Sequence, residues 1–534
     1  MKISDEIQAE VQRRRTFAII SHPDAGKTTM TEKLLLYGGA IRLAGTVKAR
    51  KAKQYAVSDW MDIEKQRGIS VTSSALNFDY NGYRINILDT PGHQDFSEDT
   101  YRTLVAADSA VMLIDGAKGV EAQTKKLFHV CRMRGIPIFT FVNKLDRACK
   151  NPLDLMAEIE ETLGIKSYPM NWPIGIDGDF KGVFDRGQSR IELFESGGSH
   201  GQSIVASRSG SVNDPRFKEL LGDHLYGRLC EDISLLDIAG DEFDMEKIRA
   251  GELTPVFFGS AMTNFGVSQF LEAFISMAPP PAERIHSEGI MSPWDSDFSG
   301  FVFKIQANMD PAHRDRLAFI RICSGKYEKG MEVTHERTGR KIRLSQAQQF
   351  MAQERTAAEN AYAGDIVGVF DPGTFLIGDT ICTGQKPFRY EGIPMFPAEH
   401  FAEVSARDSS KRKQFLKGIQ QISEEGAIQV FKTPNLGIEM FTVGVAGILQ
   451  LEVLEYRMKS EYNVDLFIRN LPYTLARWVI ADNFTKEMLG FSEAVIVEDQ
   501  YGRTVVLVKN QWTLNSIAGK NKDARFLDIA PPVS

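Results

Sequence analysis

The chain has 534 residues, which at about 100 to 200 residues per domain predicts three or four domains. Its composition of 43% hydrophobic, 10% aromatic and 25% charged residues excludes disordered, collagen-like and disulfide-stapled proteins. The formal charge of −7, from 63 basic and 70 acidic side chains, provides no global basic field, so any RNA contact must be local.

The cysteine pattern and the lack of long apolar runs predict a cytoplasmic protein. The five cysteines lie far apart and form no CxxC pair, so we expect reduced thiols. Residues 1–15 are polar and lead into no apolar segment, which argues against a cleaved signal peptide. No apolar run reaches the roughly 18 residues of a membrane span, so no membrane partner is expected. Nothing in the sequence indicates a stable oligomer, and we expect a monomer.

A phosphate-binding loop is predicted between the apolar strand Thr16–Ile20 and the helix Lys27–Tyr37. The pattern is G-x-x-x-x-G-K-[ST], in which backbone N–H groups surround phosphate oxygens and the lysine reaches the β and γ phosphates. Ser21 replaces the first glycine, but the strand before it and the helix after it supply the required context. Thr28 is expected to offer its hydroxyl to Mg²⁺. The predicted nucleotide-binding residues here are Ser21, His22, Pro23, Asp24, Ala25, Gly26, Lys27, Thr28 and Thr29.

A hairpin leads to the second motif. Leu76–Tyr80 and Tyr83–Leu88 flank an Asn-Gly turn, and the second strand delivers Asp89. A carboxylate there can hold Mg²⁺ through water, and Gly92 lets a backbone N–H approach the γ-phosphate. An ordinary turn with a surface histidine is the alternative, but beside a phosphate loop His93 is a candidate catalytic residue that orients the attacking water. The predicted set is Asp89, Thr90, Pro91, Gly92 and His93.

Two further strand ends carry residues suited to a guanine base. Asn143-Lys-Leu-Asp146 follows the apolar run Ile136–Val142, which belongs to a strand-helix-strand pattern. Asp146 can accept hydrogen bonds from the ring N1–H and the exocyclic amine of guanine, a donor pair that adenine lacks, while Asn143 holds another ring edge. Backbone N–H groups after the strand Pro255–Gly259 can reach the base oxygen. The predicted residues are Asn143, Lys144, Asp146, Gly259, Ser260 and Ala261.

The rest of the chain predicts an insertion and two more domains. Residues 147–250 interrupt the α/β rhythm, and a proline run at Ala278–Pro281 ends a first domain predicted as residues 1–280. Short β-rich runs in residues 281–388 suggest a β-barrel. Residues 389–534 are predicted to form a ferredoxin-like α+β domain with an unassigned carboxy-terminal extension. The predicted fold class is multidomain α/β, with a P-loop GTPase domain of mostly parallel sheet, then the barrel, then the ferredoxin-like domain.

These motifs, taken in order, resemble those of the translational GTPases. The resemblance implies GTP or GDP with Mg²⁺ as cofactors, ribosome-stimulated GTP hydrolysis, and His93 as the catalytic residue. It places Ser70 in the first switch as a Mg²⁺ ligand, where the family usually has threonine, and makes Pro23 and Ile69 an apolar gate in front of His93. The matching segments are His22-Pro-Asp-Ala-Gly-Lys-Thr-Thr29, Arg67-Gly-Ile-Ser70, Asp89-Thr-Pro-Gly-His93, Asn143-Lys-Leu-Asp146 and Gly259-Ser-Ala261.

The overall pattern is most similar to the bacterial class II peptide chain release factors. The stretch between Asp146 and Gly259 resembles a subdomain inserted in the larger factors, and too few residues follow Arg469 for the two further domains of the translocating elongation factor. The resemblance implies a ribosome-dependent GTPase of translation termination that promotes dissociation of class I release factors after peptide release. A GTP-controlled ribosome-binding regulator, or another ribosomal GTPase step such as translocation, is the alternative.

Two basic clusters are candidates for contact with ribosomal RNA. They are Lys411-Arg-Lys413 and Lys48–Lys53, and phosphates attract local cations of this kind. A solvated charged surface is the alternative interpretation of each cluster.

Overall fold

The computed structural model describes residues 3–41, 73–176, 179–194, 207–211, 213–307, 316–344, 347–351, 354–384, 386–432, 440–481, 484–490 and 493–531. Residues 42–72 lie outside this part of the chain. The predictions for Ser70, Ile69 and the cluster Lys48–Lys53 therefore lie outside the described residues.

Seven strands form the sheet of the first domain, and the predicted mostly parallel arrangement is confirmed. All neighbouring strands are parallel except the first pair, which is the hairpin. The strand Arg14–Ser21 is buried along its whole length, as expected when helices cover both faces of a sheet. In spatial order the strands are Ser74–Tyr80, Tyr83–Asp89, Arg14–Ser21, Ser109–Asp115, Ile138–Asn143, Leu253–Phe258 and Lys166–Pro169.

Helices of the first domain begin and end at local signals. The side chain of Asn151 accepts from the backbone N–H of Leu153, and Gly164, with φ 65°, ends the same helix. No helix in the described part of the chain is long and apolar enough to cross a membrane. The helices of this domain outside the insertion are Ile3–Gln12, Lys27–Tyr37, Ser97–Val105, Ala122–Met133, Pro152–Leu163, Met245–Arg249 and Val267–Met277, with a short 3-10 helix at Gln94–Phe96.

The inserted subdomain starts later than the sequence predicts. The predicted insertion of 147–250 includes Pro152–Leu163 and Lys166–Pro169, but the strand Lys166–Pro169 pairs in parallel with the main sheet. This edge strand has four residues of alternating burial, so it lacks the continuous apolar run that identifies the central strands. The inserted elements are an antiparallel sheet of Asn171–Ile174, Gly182–Asp185, Arg190–Phe194 and Ser207–Ser211, and the helix Pro215–Ala239.

The second domain is an antiparallel β structure around its own core. Val302, Ile320 and Val367 are fully buried at its centre. Its main sheet has the spatial order Arg340–Arg343, Glu332–His335, Thr380–Cys382, Ser299–Ala307, Arg316–Ser324, Ile366–Phe370, Ala347–Met351 and Glu354–Ala357. Two smaller pairs, Arg284–His286 with Gly289–Met291 and Lys326–Glu328 with Asn360–Tyr362, complete it.

The third domain has the predicted ferredoxin-like unit, and the unassigned extension continues the same sheet. The first four strands have the spatial order 4-1-3-2 of a split βαβ unit, with helices Arg412–Glu424 and Leu449–Tyr462 over one apolar cluster. The sheet then passes from Gln429–Lys432 to Ala494–Asp499. In spatial order its strands are Leu466–Leu471, His400–Ala406, Phe441–Val445, Gln429–Lys432, Ala494–Asp499, Thr504–Val508, Leu475–Ile480 and Arg525–Leu527, with further helices Lys486–Leu489 and Gln511–Lys520.

Buried ion pairs join the first domain to the barrel. Nη2 of Arg321 lies 2.5 Å from Oδ2 of Asp108, and both side chains are 1% exposed. Nη2 of Arg14 lies 2.8 Å from Oδ2 of Asp365. Removing one partner of such a pair leaves an uncompensated buried charge, so these contacts hold the two domains in one arrangement.

Candidate nucleotide site

The phosphate loop lies between the strand Arg14–Ser21 and the helix that begins at Lys27. Gly26, directly before the helix, has φ 99°, a left-handed conformation that favours glycine. A Cβ atom on Gly26 would also lie 2.3 Å from Nδ2 of Asn143, so a larger residue does not fit. The buried side chain of Lys27 and the free N–H groups of the helix N-terminus share this loop. Together they form a site that favours an anion.

Asn143 joins the phosphate loop to the two loops predicted to hold the base. Its Nδ2 donates to the backbone oxygen of Ala25 at 2.8 Å. Its Oδ1 accepts from the backbone N–H of Ala261 at 2.8 Å and from that of Lys144 at 2.9 Å. The sequence analysis expected Asn143 to contact the base edge, whereas here its amide binds backbone. One buried side chain therefore sets the spacing of three loops.

Lys144 is held by Asp115, a residue that the sequence analysis did not single out. Nζ of Lys144 lies 2.7 Å from Oδ2 of Asp115 and also donates to the backbone oxygen of Asp24. Burial raises the pKa of Asp115, but hydrogen bonds from Lys144 and from the backbone of Ala117 outweigh it, so the pKa lies below its usual range. Asp115 is the last residue of its strand, as Asp89 is of its own. An aspartate at a strand end was therefore a signal that the sequence contained.

Asp146 and the segment after Phe258 lie together at the same edge of the sheet. Oδ1 of Asp146 accepts from Oγ of Ser260 at 2.6 Å, and the backbone N–H of Leu145 donates to the oxygen of Gly259 at 3.2 Å. The side chain of Asp146 is 20% exposed. A carboxylate that is oriented by a hydroxyl and still accessible can accept hydrogen bonds from a ligand.

The segment that begins at Asp89 passes directly over the phosphate loop. Oδ1 of Asp89 lies 3.0 Å from Nζ of Lys27, and both side chains are buried. Oγ1 of Thr90 donates to the backbone oxygen of Ile19, in the strand Arg14–Ser21, at 2.7 Å, which anchors the segment. A Cβ atom on Gly92 would lie 3.7 Å from Cα of Pro23. The predicted phosphate and γ-phosphate residues are therefore neighbours in space.

The donor set at Asp89 fits a hydrated Mg²⁺. Oδ1 of Asp89 is paired with Lys27, but its Oδ2 is buried and has no hydrogen-bond partner within the described ranges, so this oxygen is available to a hydrated cation. Thr28 lies in the first turn of the helix that starts at Lys27. The described residues contain no cluster of three His, Cys, Asp or Glu side chains that could hold a metal alone. Mg²⁺ would thus depend on hydroxyl, water and phosphate oxygens, which it prefers.

Two histidines near the phosphate loop have acidic partners that lie outside the predicted motifs. His93 has a side chain that is 36% exposed, and its Nδ1 lies 3.2 Å from Oδ1 of Asp95. Nε2 of His22 lies 3.1 Å from Oε1 of Glu121. The sequence analysis singled out neither acidic residue. Glu121 is far from His22 along the chain, so no local pattern connects the two.

Three family models match successive parts of the chain. Residues 12–280 match the Elongation factor Tu GTP binding domain, residues 297–384 match Elongation factor G domain 2, and residues 390–518 match the Class II release factor RF3, C-terminal domain. A Peptide chain release factor 3 of Symbiobacterium thermophilum is 58% identical over 98% of both chains. One of Gloeobacter violaceus is 55% identical over 98% of this chain and 99% of that relative.

The chain belongs to the peptide chain release factor 3 family. The resemblance to class II release factors is thereby confirmed over the full length, including the carboxy-terminal strands that the sequence analysis left unassigned. The release factor 3 fold is also similar to a crystal structure of a Thermus thermophilus protein, with a TM-score of 0.69 at 22% identity, covering 88% of this chain and 71% of that one.

Proposed function

We propose that this translation-termination GTPase of the release factor 3 family is stimulated by the ribosome and promotes dissociation of class I release factors after peptide release. GTP and Mg²⁺ set the conformation of its switches, and hydrolysis to GDP resets them. Ligands shift such an equilibrium only through different affinity for its two states. The protein acts in the cytoplasm as a monomer.

One observation carries the proposal: the side chain of Asn143 bonds the loops of three nucleotide motifs to one another. Such an arrangement fixes the distance between a phosphate site at Lys27 and a base site at Asp146. Both sites lie at the carboxyl edge of a parallel sheet, where ligands of α/β proteins bind. The spacing and the residue types support a guanine nucleotide as the ligand.

Each proposed role follows from the chemistry of one side chain. Asp146 accepts hydrogen bonds from the N1–H and exocyclic amine of guanine, with Ser260 orienting the carboxylate. Lys27 neutralises the β and γ phosphates. Mg²⁺, held by Thr28, Ser70 and water on Asp89, supplies further charge neutralisation on phosphate oxygens when it is bound. His93 positions the attacking water beside Gly92 and the phosphate loop.

The termination role is tested with ribosomes stopped at a stop codon and loaded with a fluorescent class I release factor. Addition of this protein with GTP is expected to accelerate dissociation, and addition with GDP is not. The Asp146→Asn variant serves as the matched control, since xanthine nucleotide should replace GTP as its activator. No acceleration with GTP, although ribosomes still stimulate hydrolysis, would move the activity to another ribosomal step.

The role of His93 is tested by the His93→Ala variant. Ribosome-stimulated GTP hydrolysis is expected to fall by roughly 10²- to 10⁴-fold, the usual contribution of a positioned acid or base. Binding of GTP should be unchanged, because the phosphate and base contacts remain. Unchanged turnover would remove His93 from the mechanism.

A further inference from the structure

Asp95 contacts two structures at once, the side chain of His93 and the third domain. It lies in the short 3-10 helix Gln94–Phe96, and its side chain is 12% exposed. Oδ1 lies 3.2 Å from Nδ1 of His93. Oδ2 accepts from the backbone N–H of Leu449 at 2.8 Å, across 354 positions of sequence. The carboxylate thus bridges the candidate catalytic residue and a different domain.

The third domain supplies a strong anchor for this carboxylate. Leu449 is the first residue of the helix Leu449–Tyr462, so its N–H has no partner within the helix. Ile448, at the N-cap, has no polar side chain and makes no capping bond. Asp95 provides the cap instead, and its negative charge interacts favourably with the helix dipole.

The contact is also sterically tight. A Cβ atom on Gly447 would lie 2.0 Å from Cγ of Asp95 and 2.3 Å from its Oδ1. Docking of the two domains does not depend on this contact alone. Nη2 of Arg102 donates to the backbone oxygen of Gly426 at 2.9 Å, which joins the same two domains nearby. A change at Gly447 can therefore displace Asp95 while the domains remain docked.

Asp95 can hold the imidazole of His93 whether or not Nδ1 carries a proton. The backbone N–H of Asp95 lies 3.3 Å from Nδ1 and donates to it when the ring proton is on Nε2. When a proton is on Nδ1, the ring donates to Oδ1 instead. In both cases the Nδ1 edge of the ring faces Asp95. The opposite nitrogen, Nε2, is then the one directed away from Asp95 and able to face a water.

We propose that Asp95 is a positioning residue that makes the orientation of His93 depend on docking of the third domain. The proposal rests on the role of His93 given above. A movement of the third domain on the ribosome would change the position of the Asp95 carboxylate and, through it, that of the imidazole. The rate of GTP hydrolysis in the first domain would therefore depend on the position of the third domain.

Gly447→Ala tests the link from the side of the third domain, without changing any residue of the first. The matched control is Gly519→Ala, also in the third domain, where a Cβ meets no atom within 4 Å. The probe is NMR of histidine side chains labelled at Cε1. The chain has nine histidines, and the signal of His93 is identified as the one that is lost in His93→Gln. The His93 signal is expected to shift in Gly447→Ala and to stay in place in Gly519→Ala. An unshifted signal in Gly447→Ala overturns the proposal.

Kinetics provide the second measurement. In both Gly447→Ala and Asp95→Ala, kcat of ribosome-stimulated GTP hydrolysis is expected to fall roughly 10- to 100-fold, as for a misplaced catalytic group. The KM values for GTP and for ribosomes should stay constant. The double variant should lose no more than either single variant, because both changes break one contact. Asp95→Asn keeps an oxygen that can accept from the N–H of Leu449. Its kcat and its thermal unfolding midpoint should therefore lie between those of Asp95→Ala and the wild type.

The outcomes separate this proposal from the proposed function. If His93→Ala abolishes turnover but Gly447→Ala leaves kcat unchanged, only the coupling through Asp95 is wrong. If His93→Ala itself retains turnover, the catalytic role of His93 fails, and the coupling fails with it. Additive losses in the double variant also contradict the proposal, because they indicate two unrelated defects.

Discussion

The base-binding loops and the helix Ser97–Val105 both belong to the first domain, but they are held in different ways. At the base-binding loops, Asn143 and Asp146 bond partners within the first domain. The helix after His93 is instead held from outside: Nζ of Lys304, in the barrel, lies 3.5 Å from Oδ2 of Asp99. The proposed base site is thus held within one domain, whereas the helix Ser97–Val105 also contacts the barrel and the third domain.

This difference shows which part of the first domain can change its structure when another domain moves. A loop whose bonds are all internal keeps its geometry when other domains move. The helix Ser97–Val105 is held through Asp99 by Lys304 and through Arg102 by the backbone of Gly426. It must respond to movement of either neighbour, because buried charged contacts cannot stretch without loss of free energy. We therefore expect substitutions in the first region to change nucleotide affinity and those in the second to change stability and turnover.

The largest expected effect on stability is that of Lys304→Met. The ammonium of Lys304 is buried, and Nζ lies 3.0 Å from Oγ of Ser73 and 3.5 Å from Oδ2 of Asp99. Its removal leaves the Asp99 carboxylate with Arg102 as the other cation that stabilises its charge, and the loss of a buried partner costs about 3–5 kcal/mol. Urea denaturation should show this as an earlier first transition. A loss below about 1 kcal/mol would contradict the view that the barrel holds this helix by charge.

Asp146→Asn should have the next largest effect, on affinity and not on stability. Loss of the charged acceptor is expected to weaken GTP binding by about 1.5–3 kcal/mol, roughly 10- to 150-fold, and to favour xanthine nucleotide. Equilibrium binding of both nucleotides measures the change. Asp154→Asn, on an exposed helix position, is the control and should bind GTP normally. Unchanged guanine preference in Asp146→Asn would refute the base-recognition assignment.

The contact between the first domain and the barrel should weaken in acid. Burial raises the pKa of Asp365, but Arg14 and the backbone N–H of Tyr362 outweigh it, so the pKa lies below its ordinary value of 3.8. The stabilisation is therefore complete above pH 4 and is lost as the pH falls through the lowered pKa. Acid denaturation should be less steep in Asp365→Asn than in the wild type. Equal slopes in Asp365→Asn and the wild type would exclude Asp365 as the titrating group.

The smallest effect is expected at an exposed ion pair of the barrel. Nζ of Lys341 lies 2.9 Å from Oε1 of Glu332, but the side chains are 72% and 60% exposed. Solvent screens such pairs, so Lys341→Met should leave the urea transition unchanged within error. Because the substitution is the same as at Lys304, comparison of the two variants distinguishes the effect of removing a buried charge from the effect of removing a lysine side chain. A large loss here would mean that the comparison above reflects lysine side chains in general.

The candidate motif residues could be selected from the sequence because ligand chemistry restricts residue type at strand ends, and their binding roles stay predictions. Gly26, Lys27, Asp89, Asn143 and Asp146 occupy such positions, and the sheet brings them to one edge. Asp115 occupies an equivalent position and was missed because no motif pattern includes it. The edge strand Lys166–Pro169 was missed for a different reason, since four residues carry too little periodicity to separate a strand from the insertion beside it.

The sequence by itself determined the succession of a mostly parallel α/β domain, a β domain and a ferredoxin-like unit, and it identified the residue types on which the proposed nucleotide site is built. Those properties depend on local patterns and on residue types that a phosphate or a guanine ring demands. Only the tertiary structure decided that Asn143 ties three loops together and that Asp95 caps a helix of the third domain. Contacts of this kind join ordinary residues across hundreds of positions, and whether they form depends on how whole domains pack, which no local window of sequence contains.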